Sequence, residues 1–139
     1  MNVEHVMTGP AHVMRPDSTA KEAARLMREQ KVGCVVVASQ DKPEGMVTDR
    51  DIALRVVADD LDGRQVELSE VMSPSPVFVF GGRDLRYAMQ VMREQAVRRL
   101  PVVDGAHKII GVVSLDDVVR RISEELDAVS ETIDRELSG

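Results

Sequence analysis

Short apolar blocks separated by polar turns run along the chain and predict alternating strands and helices. In the first half the predicted elements are Val13-Met14, a helix from Thr19 to about Gln30, Cys34 to Ala38, Gly45 to Thr48, and a helix from Asp49 to Ala58. The apolar blocks are short and rich in β-branched residues, as buried strands are. Thr19 and Glu22 have the spacing of a capping box, which marks the start of a helix. This half therefore has the order β-α-β-β-α.

The second half of the chain repeats the first. Met27-Arg28-Glu29-Gln30 recurs as Met92-Arg93-Glu94-Gln95, at an offset of 65 residues. The predicted elements also recur in order: Val77 to Phe80, a helix from about Asp84 to Gln95, Leu100 to Val103, Ile109 to Ser114, and a helix from Leu115. Two copies are fewer than an open solenoid needs, so each copy is expected to cover the other's apolar face. We predict an α/β (α+β) fold of two pseudo-symmetric repeats, residues 1–60 and 66–122, joined by a polar linker.

Residues 123–139 are predicted to form a separate acidic, amphipathic C-terminal helix. Its apolar residues fall on one stripe at helical spacing: Ile122, Leu126, Val129, Ile133 and Leu137. The stripe can pack on the chain's own domain, or it can bind a second copy or another protein. The sequence leaves both interpretations open.

The charge distribution disfavours a nucleic-acid partner. The chain has 24 acidic and 18 basic residues, a net charge of −6, and six acids but only one base lie in residues 123–139. The rest of the chain is nearly neutral, whereas duplex binding needs a broad cationic surface. The chain also has only three aromatic residues, too few to provide stacking platforms for single strands.

Other features bear on location and metal binding. The longest apolar runs, such as Val35 to Ala38, are far too short to cross a bilayer, and the first ten residues do not resemble a signal peptide. Cys34 is the only cysteine, and the three histidines do not have metal-ligand spacing among themselves. We therefore expect a cytoplasmic protein with no membrane partner, no intramolecular disulfide and no bound metal.

One motif with chemical meaning occurs once in each repeat. Its form is Gly-apolar-apolar-(Thr/Ser)-x-x-Asp, ending in Thr48 and Asp51 and again in Ser114 and Asp117. The hydroxyl can cap the following helix, and the carboxylate can accept hydrogen bonds from ribose hydroxyls while helix N–H groups favour phosphate. The alternative is an ordinary helix cap with a charge that suits the helix dipole. Its occurrence at equivalent places in both repeats favours ligand binding.

These features together resemble a tandem pair of cystathionine-β-synthase (CBS) domains, the Bateman module, of the kind found in small stand-alone bacterial proteins. The resemblance rests on Val6-Met7-Thr8, Val71-Met72-Ser73, the turns Thr48 to Asp51 and Ser114 to Asp117, and Arg98 to Val103. It implies a homodimeric, energy-sensing regulatory module. It also implies an adenosine-containing ligand (AMP, ADP or ATP, or S-adenosylmethionine or NAD) in clefts between the repeats, with no catalytic cofactor.

Carried over residue by residue, the resemblance implies two sites. In the Ser114/Asp117 cleft, ribose and phosphate would meet Ser114, Asp116, Asp117, Arg98 and Arg99, and adenine would lie near Thr8, His12, Val32, Gly33 and Cys34. In the Thr48/Asp51 cleft, Thr48 and Asp51 would hold ribose, with base contacts near Ser73, Val97 and Arg98. Because Gly33 and Cys34 stand where the second repeat has Arg98 and Arg99, only Arg50 would compensate there. The Ser114/Asp117 cleft is therefore expected to bind a charged nucleotide better.

Two rival functions remain open at this point. The chain could be a purely structural dimerisation or partner-binding domain with vestigial clefts, or an enzyme that uses an adenine nucleotide. It contains no phosphate-binding P-loop, no nucleophile elbow and no His-Glu-x-x-His motif, so we assign no catalytic residue and expect no enzyme. A regulatory module would in addition act on a protein partner, which the sequence does not identify.

Overall fold

The computed structural model describes residues 1–74 and 77–138. Within these ranges the chain forms two small β-sheets and the helices that connect and follow their strands. The first elements are β1 (Val13–Met14), α1 (Ala20–Gln30), β2 (Cys34–Ser39), β3 (Lys42–Thr48) and α2 (Asp49–Ile52), which continues as a π-helical turn, Ala53–Val57. The later elements are α3 (Leu68–Val71), β4 (Ser73–Pro74), β5 (Val79–Phe80), α4 (Leu85–Gln95), β6 (Arg99–Val103), β7 (Ile109–Ser114) and α5 (Leu115–Ser138). A 3₁₀ turn, Val3–His5, precedes them.

Local signals in the sequence account for most of these boundaries. The capping box predicted at Thr19 and Glu22 is formed, with both reciprocal hydrogen bonds present. β3 begins at Lys42 rather than at the predicted Gly45, because Gln40 and Asp41 both have positive φ and close a two-residue hairpin turn. β5 is also shorter than predicted. It pairs with β6 only at Val79 and Phe80.

The two sheets have related topologies. The first has the order β1-β2-β3-β4, with β1 parallel to β2 and the other pairs antiparallel. The second has the order β5-β6-β7, with β5 parallel to β6 and β6 antiparallel to β7. Alternate residues of β2 face two different apolar clusters, so that Val35 and Val37 pack within the first half and Val36 belongs to a cluster that includes Val103 of the second. A strand buried on both faces explains the unbroken apolar run.

The segment that opens each repeat crosses to the other half of the molecule. Thr8, at the start of the first repeat, pairs with Val112 of β7 through two backbone hydrogen bonds of 2.9 and 3.0 Å. Ser73, at the start of the second repeat, pairs with Met46 of β3. Val3 accordingly packs in the core cluster of the second half, and Leu68 and Val71 pack in that of the first. The structural halves are therefore not the same as the sequence repeats.

The glycine that opens each Gly-apolar-apolar motif makes room for this crossing. A Cβ atom on Gly111 would lie 2.6 Å from the sulfur of Met7 and 2.8 Å from the carbonyl oxygen of Thr8. A Cβ atom on Gly45 would lie 2.7 Å from the sulfur of Met72 and 2.7 Å from the carbonyl oxygen of Ser73. No side chain fits at either position.

The C-terminal region is one continuous helix. α5 spans 24 residues, so the boundary expected between residues 122 and 123 lies inside it. Asp117 and Val118 are buried against the domain, but every residue from Ile122 to Ser138 is exposed. The apolar stripe therefore does not pack on its own domain, and Val119 extends it toward the body. None of the helices within the described ranges has the length and apolar character to cross a bilayer.

Candidate functional site

Two clefts of about 260 Å³ each lie where the two halves meet. The Thr48/Asp51 cleft is lined by Met46, Thr48, Asp51, Ser73, Pro74, Ala96, Val97, Arg98 and Arg99. The Ser114/Asp117 cleft is lined by Thr8, Pro10, Ala11, His12, Val32, Gly33, Cys34, Arg99, Val112, Ser114 and Asp117. Each cleft thus combines a hydroxyl and a carboxylate from one half with apolar walls from the other, and a crossing segment contributes Thr8 or Ser73.

In the Thr48/Asp51 cleft the hydroxyl and the carboxylate cap the start of α2. The Asp51 N–H donates to Thr48 Oγ1 at 3.2 Å, and the Thr48 N–H donates to Asp51 Oδ2 at 2.9 Å. Among the described residues, the other carboxylate oxygen pairs only with the Arg55 guanidinium, at 3.9 Å. The Thr48 hydroxyl accepts in this arrangement, so its own hydrogen is available for donation. The cap is therefore formed, and it leaves hydrogen-bonding capacity toward the cleft.

The Ser114/Asp117 cleft repeats this cap with a more fully bonded carboxylate. The Asp117 N–H donates to Ser114 Oγ at 3.1 Å, and the Ser114 N–H donates to Asp117 Oδ2 at 3.0 Å. Asp117 Oδ1 also accepts from Arg120 at 3.0 Å and from the Thr8 hydroxyl at 3.3 Å. Asp117 is only 6% exposed and is the one buried charged residue among those described. Its carboxylate has less remaining capacity than that of Asp51.

The arginines are placed differently from the expectation. Arg98 lines the Thr48/Asp51 cleft and not the Ser114/Asp117 cleft, whereas Arg99 lines both. Arg98 also forms an exposed ion pair of 3.4 Å with Asp116. Asp116 and Arg50 lie on neither lining. Of the two arginines expected at the Ser114/Asp117 cleft, the structure places Arg99 on its lining and Arg98 on the lining of the other cleft.

Pseudo-symmetry explains where Arg98 lies. The carbonyl of Gly33 accepts the N–H of Asp49, and the carbonyl of Arg98 accepts the N–H of Leu115, so Gly33 and Arg98 occupy equivalent positions. Gly33 lines the Ser114/Asp117 cleft, and Arg98 lines the Thr48/Asp51 cleft. Each cleft thus receives the residue that precedes a strand in the other half, not in the half that supplies its hydroxyl and carboxylate.

The structure brings together all the other residues expected at each site and adds several that sequence reasoning missed. The additions are Met46, Pro74 and Ala96 in one cleft and Pro10, Ala11 and Val112 in the other. Met46 and Val112 carried a usable signal. Each lies two residues before the motif's hydroxyl residue, so its side chain shares a strand face with that residue.

The thiol of Cys34 lies in the wall of the Ser114/Asp117 cleft. Burial raises the pKa of this thiol to about 11, and the nearby Arg99 guanidinium only partly offsets that shift. The thiol is therefore protonated at neutral pH and is a poor nucleophile. Within residues 1–74 and 77–138, no group of three or more His, Cys, Asp or Glu residues is placed to hold a metal ion.

Comparison with known proteins gives consistent matches over both halves. A family model described as CBS domain matches residues 3–58 and 68–124. The chain is 41% identical over 125 residues to the CBS domain-containing protein YhcV of Bacillus subtilis, covering 89% of this chain and 88% of that protein. It also resembles the crystal structure of Hypoxic Response Protein I with two coordinated zinc ions (28% identity, TM-score 0.72, 86% of this chain and 98% of that one). A further similar structure is the CBS domain protein PAE2072 from Pyrobaculum aerophilum complexed with AMP (27% identity, TM-score 0.75, 92% and 99% covered).

Proposed function

The chain belongs to the CBS domain family and carries two copies of the domain, and on that premise we propose that it is a non-catalytic regulatory module for adenosine nucleotides. The observation that carries the proposal is that each cleft brings together a hydroxyl, a carboxylate and a guanidinium at the boundary between the two halves. The AMP bound by PAE2072 supports a ligand of the AMP, ADP or ATP type. S-adenosylmethionine and NAD contain the same adenosine group and are further candidates.

We propose the following roles for the lining residues. Asp51 and Asp117 accept from ribose hydroxyls, and the hydroxyls of Thr48 and Ser114 donate to the ligand. Arg98 and Arg99 bind phosphate, because a guanidinium matches phosphate oxygens in geometry and charge. Adenine lies against walls of small, mostly uncharged side chains and backbone, formed by Thr8, His12, Val32, Gly33 and Cys34 in one cleft and by Ser73 and Val97 in the other.

We further propose that the Thr48/Asp51 cleft binds a phosphorylated nucleotide more tightly, the reverse of the order expected from the sequence. Two guanidiniums line it, those of Arg98 and Arg99, whereas only that of Arg99 lines the other cleft. Asp51 also keeps a carboxylate oxygen that, within the described part of the chain, pairs with Arg55 alone at 3.9 Å, whereas both oxygens of Asp117 accept hydrogen bonds. Both differences favour tighter nucleotide binding in the Thr48/Asp51 cleft.

Regulation follows from the position of the clefts between the halves. A ligand that contacts both halves favours the relative orientation in which it binds best, and only this difference in affinity can shift the equilibrium. α5 continues directly from the Ser114/Asp117 motif, because Asp117 lies in its first turn. We propose that this helix transmits the change to a second subunit or to a downstream protein.

We propose that the apolar stripe of α5 pairs in parallel with the same helix of a second copy, giving a homodimer. One flank of the stripe carries Glu125 and Thr132, and the other carries Ser123 and Ser130. In a parallel pair each flank lies beside the partner's opposite flank. Glu125 then faces the partner's Ser130 and not a second carboxylate. The remaining acids lie mostly away from the seam, where water screens their repulsion.

A ligand panel tests the proposed function. A ligand that binds only the folded state raises the melting temperature, so AMP, ADP or ATP should stabilise the protein while GTP and inorganic phosphate should not. Asp51→Asn combined with Asp117→Asn should abolish the shift. No response to any adenosine compound would favour the alternative of a structural dimerisation domain, which the exposed stripe of α5 would also suit. Turnover of ATP by the pure protein would instead indicate an enzyme.

We also propose a cytoplasmic location. The lone, protonated thiol of Cys34 needs no oxidising compartment.

A further inference from the structure

Arg99 is the one residue that lines both clefts within the described parts of the chain. Its counterpart in the first repeat is Cys34, which pairs with Thr48 as Arg99 pairs with Ser114. Cys34 has a short side chain and lines only the Ser114/Asp117 cleft. The long side chain of Arg99 therefore breaks the pseudo-symmetry at the boundary between the two sites.

The guanidinium of Arg99 also has no counter-ion among the residues that the structure describes. Within residues 1–74 and 77–138 its side chain forms no ion pair and no hydrogen bond, although the residue is half-buried. Other arginines near the clefts are engaged, because Arg98 pairs with Asp116, Arg120 with Asp117 and Arg55 with Asp51. A partly desolvated cation without a partner favours the binding of an anion beside it.

The two clefts depend on this cation unequally. The Thr48/Asp51 cleft also has Arg98, whereas Arg99 is the only arginine or lysine on the lining of the Ser114/Asp117 cleft. A phosphate that binds Arg99 in one cleft makes the guanidinium unavailable to a phosphate in the other cleft. A phosphate in the other cleft would then lie in a site without a free cation, close to the negative charge of the first phosphate.

We propose that Arg99 is a single phosphate-binding group shared by the two clefts, so that a phosphorylated nucleotide in one cleft weakens phosphate-dependent binding in the other. This inference rests on the proposed function and adds to it a coupling between the sites. Adenosine has no phosphate and does not need Arg99, so its two binding events are independent. Loss of one charge-assisted hydrogen bond corresponds to a change of about tenfold in affinity.

Single-site variants separate the coupling from a mere difference between the clefts. Asp51→Asn disables the Thr48/Asp51 cleft and leaves the other to be measured alone, and Asp117→Asn does the converse. Calorimetric titration of the wild type with AMP should give a second dissociation constant about tenfold weaker than that of Asp51→Asn protein. With adenosine the two values should coincide. Ser114→Ala replaces Asp117→Asn if loss of the buried carboxylate prevents folding, as judged by circular dichroism.

Arg99→Gln supplies the direct test and Arg98→Gln the matched control. Arg99→Gln should weaken AMP binding in both single-site backgrounds and leave adenosine binding unchanged. Arg98→Gln should weaken AMP binding only where the Thr48/Asp51 cleft is intact. An effect of Arg99→Gln in one background alone, or independent AMP sites in the wild type, overturns the coupling while the proposed function stands. Absence of both AMP and adenosine binding overturns the proposed function and the coupling with it.

Discussion

The hydroxyl of Thr8 donates a hydrogen bond of 3.3 Å to the carboxylate of Asp117, which lies 109 residues later in the chain. Asp117 is buried and belongs to the second half, whereas Thr8 opens the first repeat. The bond therefore connects the crossing segment to the carboxylate that we assign to ribose. Through this bond the N-terminal segment contributes to one ligand cleft and also stabilises the second half of the molecule.

Replacing Thr8 should therefore destabilise the protein. Thr8→Val removes the hydroxyl and leaves a buried carboxylate with one partner fewer, which should lower the free energy of unfolding by about 1–2 kcal/mol. Ser73→Ala is the matched control, because Ser73 occupies the equivalent position and is exposed like Thr8, but its hydroxyl makes no hydrogen bond with the described residues. Urea denaturation measures both variants. Equal stability of Thr8→Val and wild type would contradict the assigned role of the hydrogen bond.

Gly111→Ala should disturb the crossing segment. The added methyl group would meet the carbonyl oxygen of Thr8 at 2.8 Å, and backbone cannot move aside as a flexible side chain can. We expect a loss of about 1–3 kcal/mol in the free energy of unfolding. Gly105→Ala is the control, because no atom lies within 4 Å of its added methyl group. If both variants melt at the wild-type temperature, the segment does not pack on Gly111 as described.

The reactivity of Cys34 should report on its surroundings. Because burial raises the pKa of the thiol to about 11, alkylation by iodoacetamide should be much slower at pH 7.5 than for a free cysteine and should accelerate as the pH approaches that value. Arg99 lowers this pKa, so Arg99→Gln should raise it and slow the reaction further. Mass spectrometry of the labelled protein gives the rates. Faster labelling of the Arg99→Gln protein would show that the guanidinium does not act on the thiol.

The same shift predicts how stability depends on pH. The folded-state pKa of Cys34 lies above the unfolded value of 9.0, so the folded state keeps its proton more firmly. This contribution is complete below pH 9 and is lost as the pH rises toward 11. Cys34→Ser should reduce the decline in melting temperature across that range. If the melting temperature of the Cys34→Ser protein falls as steeply as that of the wild type, groups other than Cys34 cause the decline.

Polar substitutions on the stripe of α5 should change assembly without unfolding the domain. Leu126→Ser with Ile133→Ser should convert a dimer to a monomer in analytical ultracentrifugation, because these apolar side chains are 64% and 50% exposed in the single chain. The melting transition of the domain should remain. Asp127→Ser with Asp134→Ser is the control, because these positions lie away from the stripe centre and should leave the dimer intact. A wild-type protein that sediments as a monomer would contradict the pairing of α5.

Much of the fold follows from local rules. The capping box at Thr19 and Glu22, the apolar run of β2 and the helical spacing of the α5 stripe each depend on neighbours within a few residues, so the sequence alone predicts them. The hairpin start at Lys42 was missed because it depends on positive φ at Gln40 and Asp41, residues with only a modest preference for that conformation. The family resemblance also assigned the polar lining residues and part of the apolar walls to two clefts, but it did not give the remaining wall residues, such as Met46, Ala96 and Val112.

The repeated pattern of residues predicts two equivalent halves and the residue types that each presents. The exchange of segments between the halves appears only in the folded molecule, where Thr8 joins β7, Arg98 lines the Thr48/Asp51 cleft alone and Arg99 lines both clefts. The cause is the repeat, because both halves have the same apolar pattern and the same glycine. From the local pattern alone, the opening segment of either repeat could pack on either half. The packing of the complete molecule selects one arrangement, and that arrangement places Arg99 between the two sites.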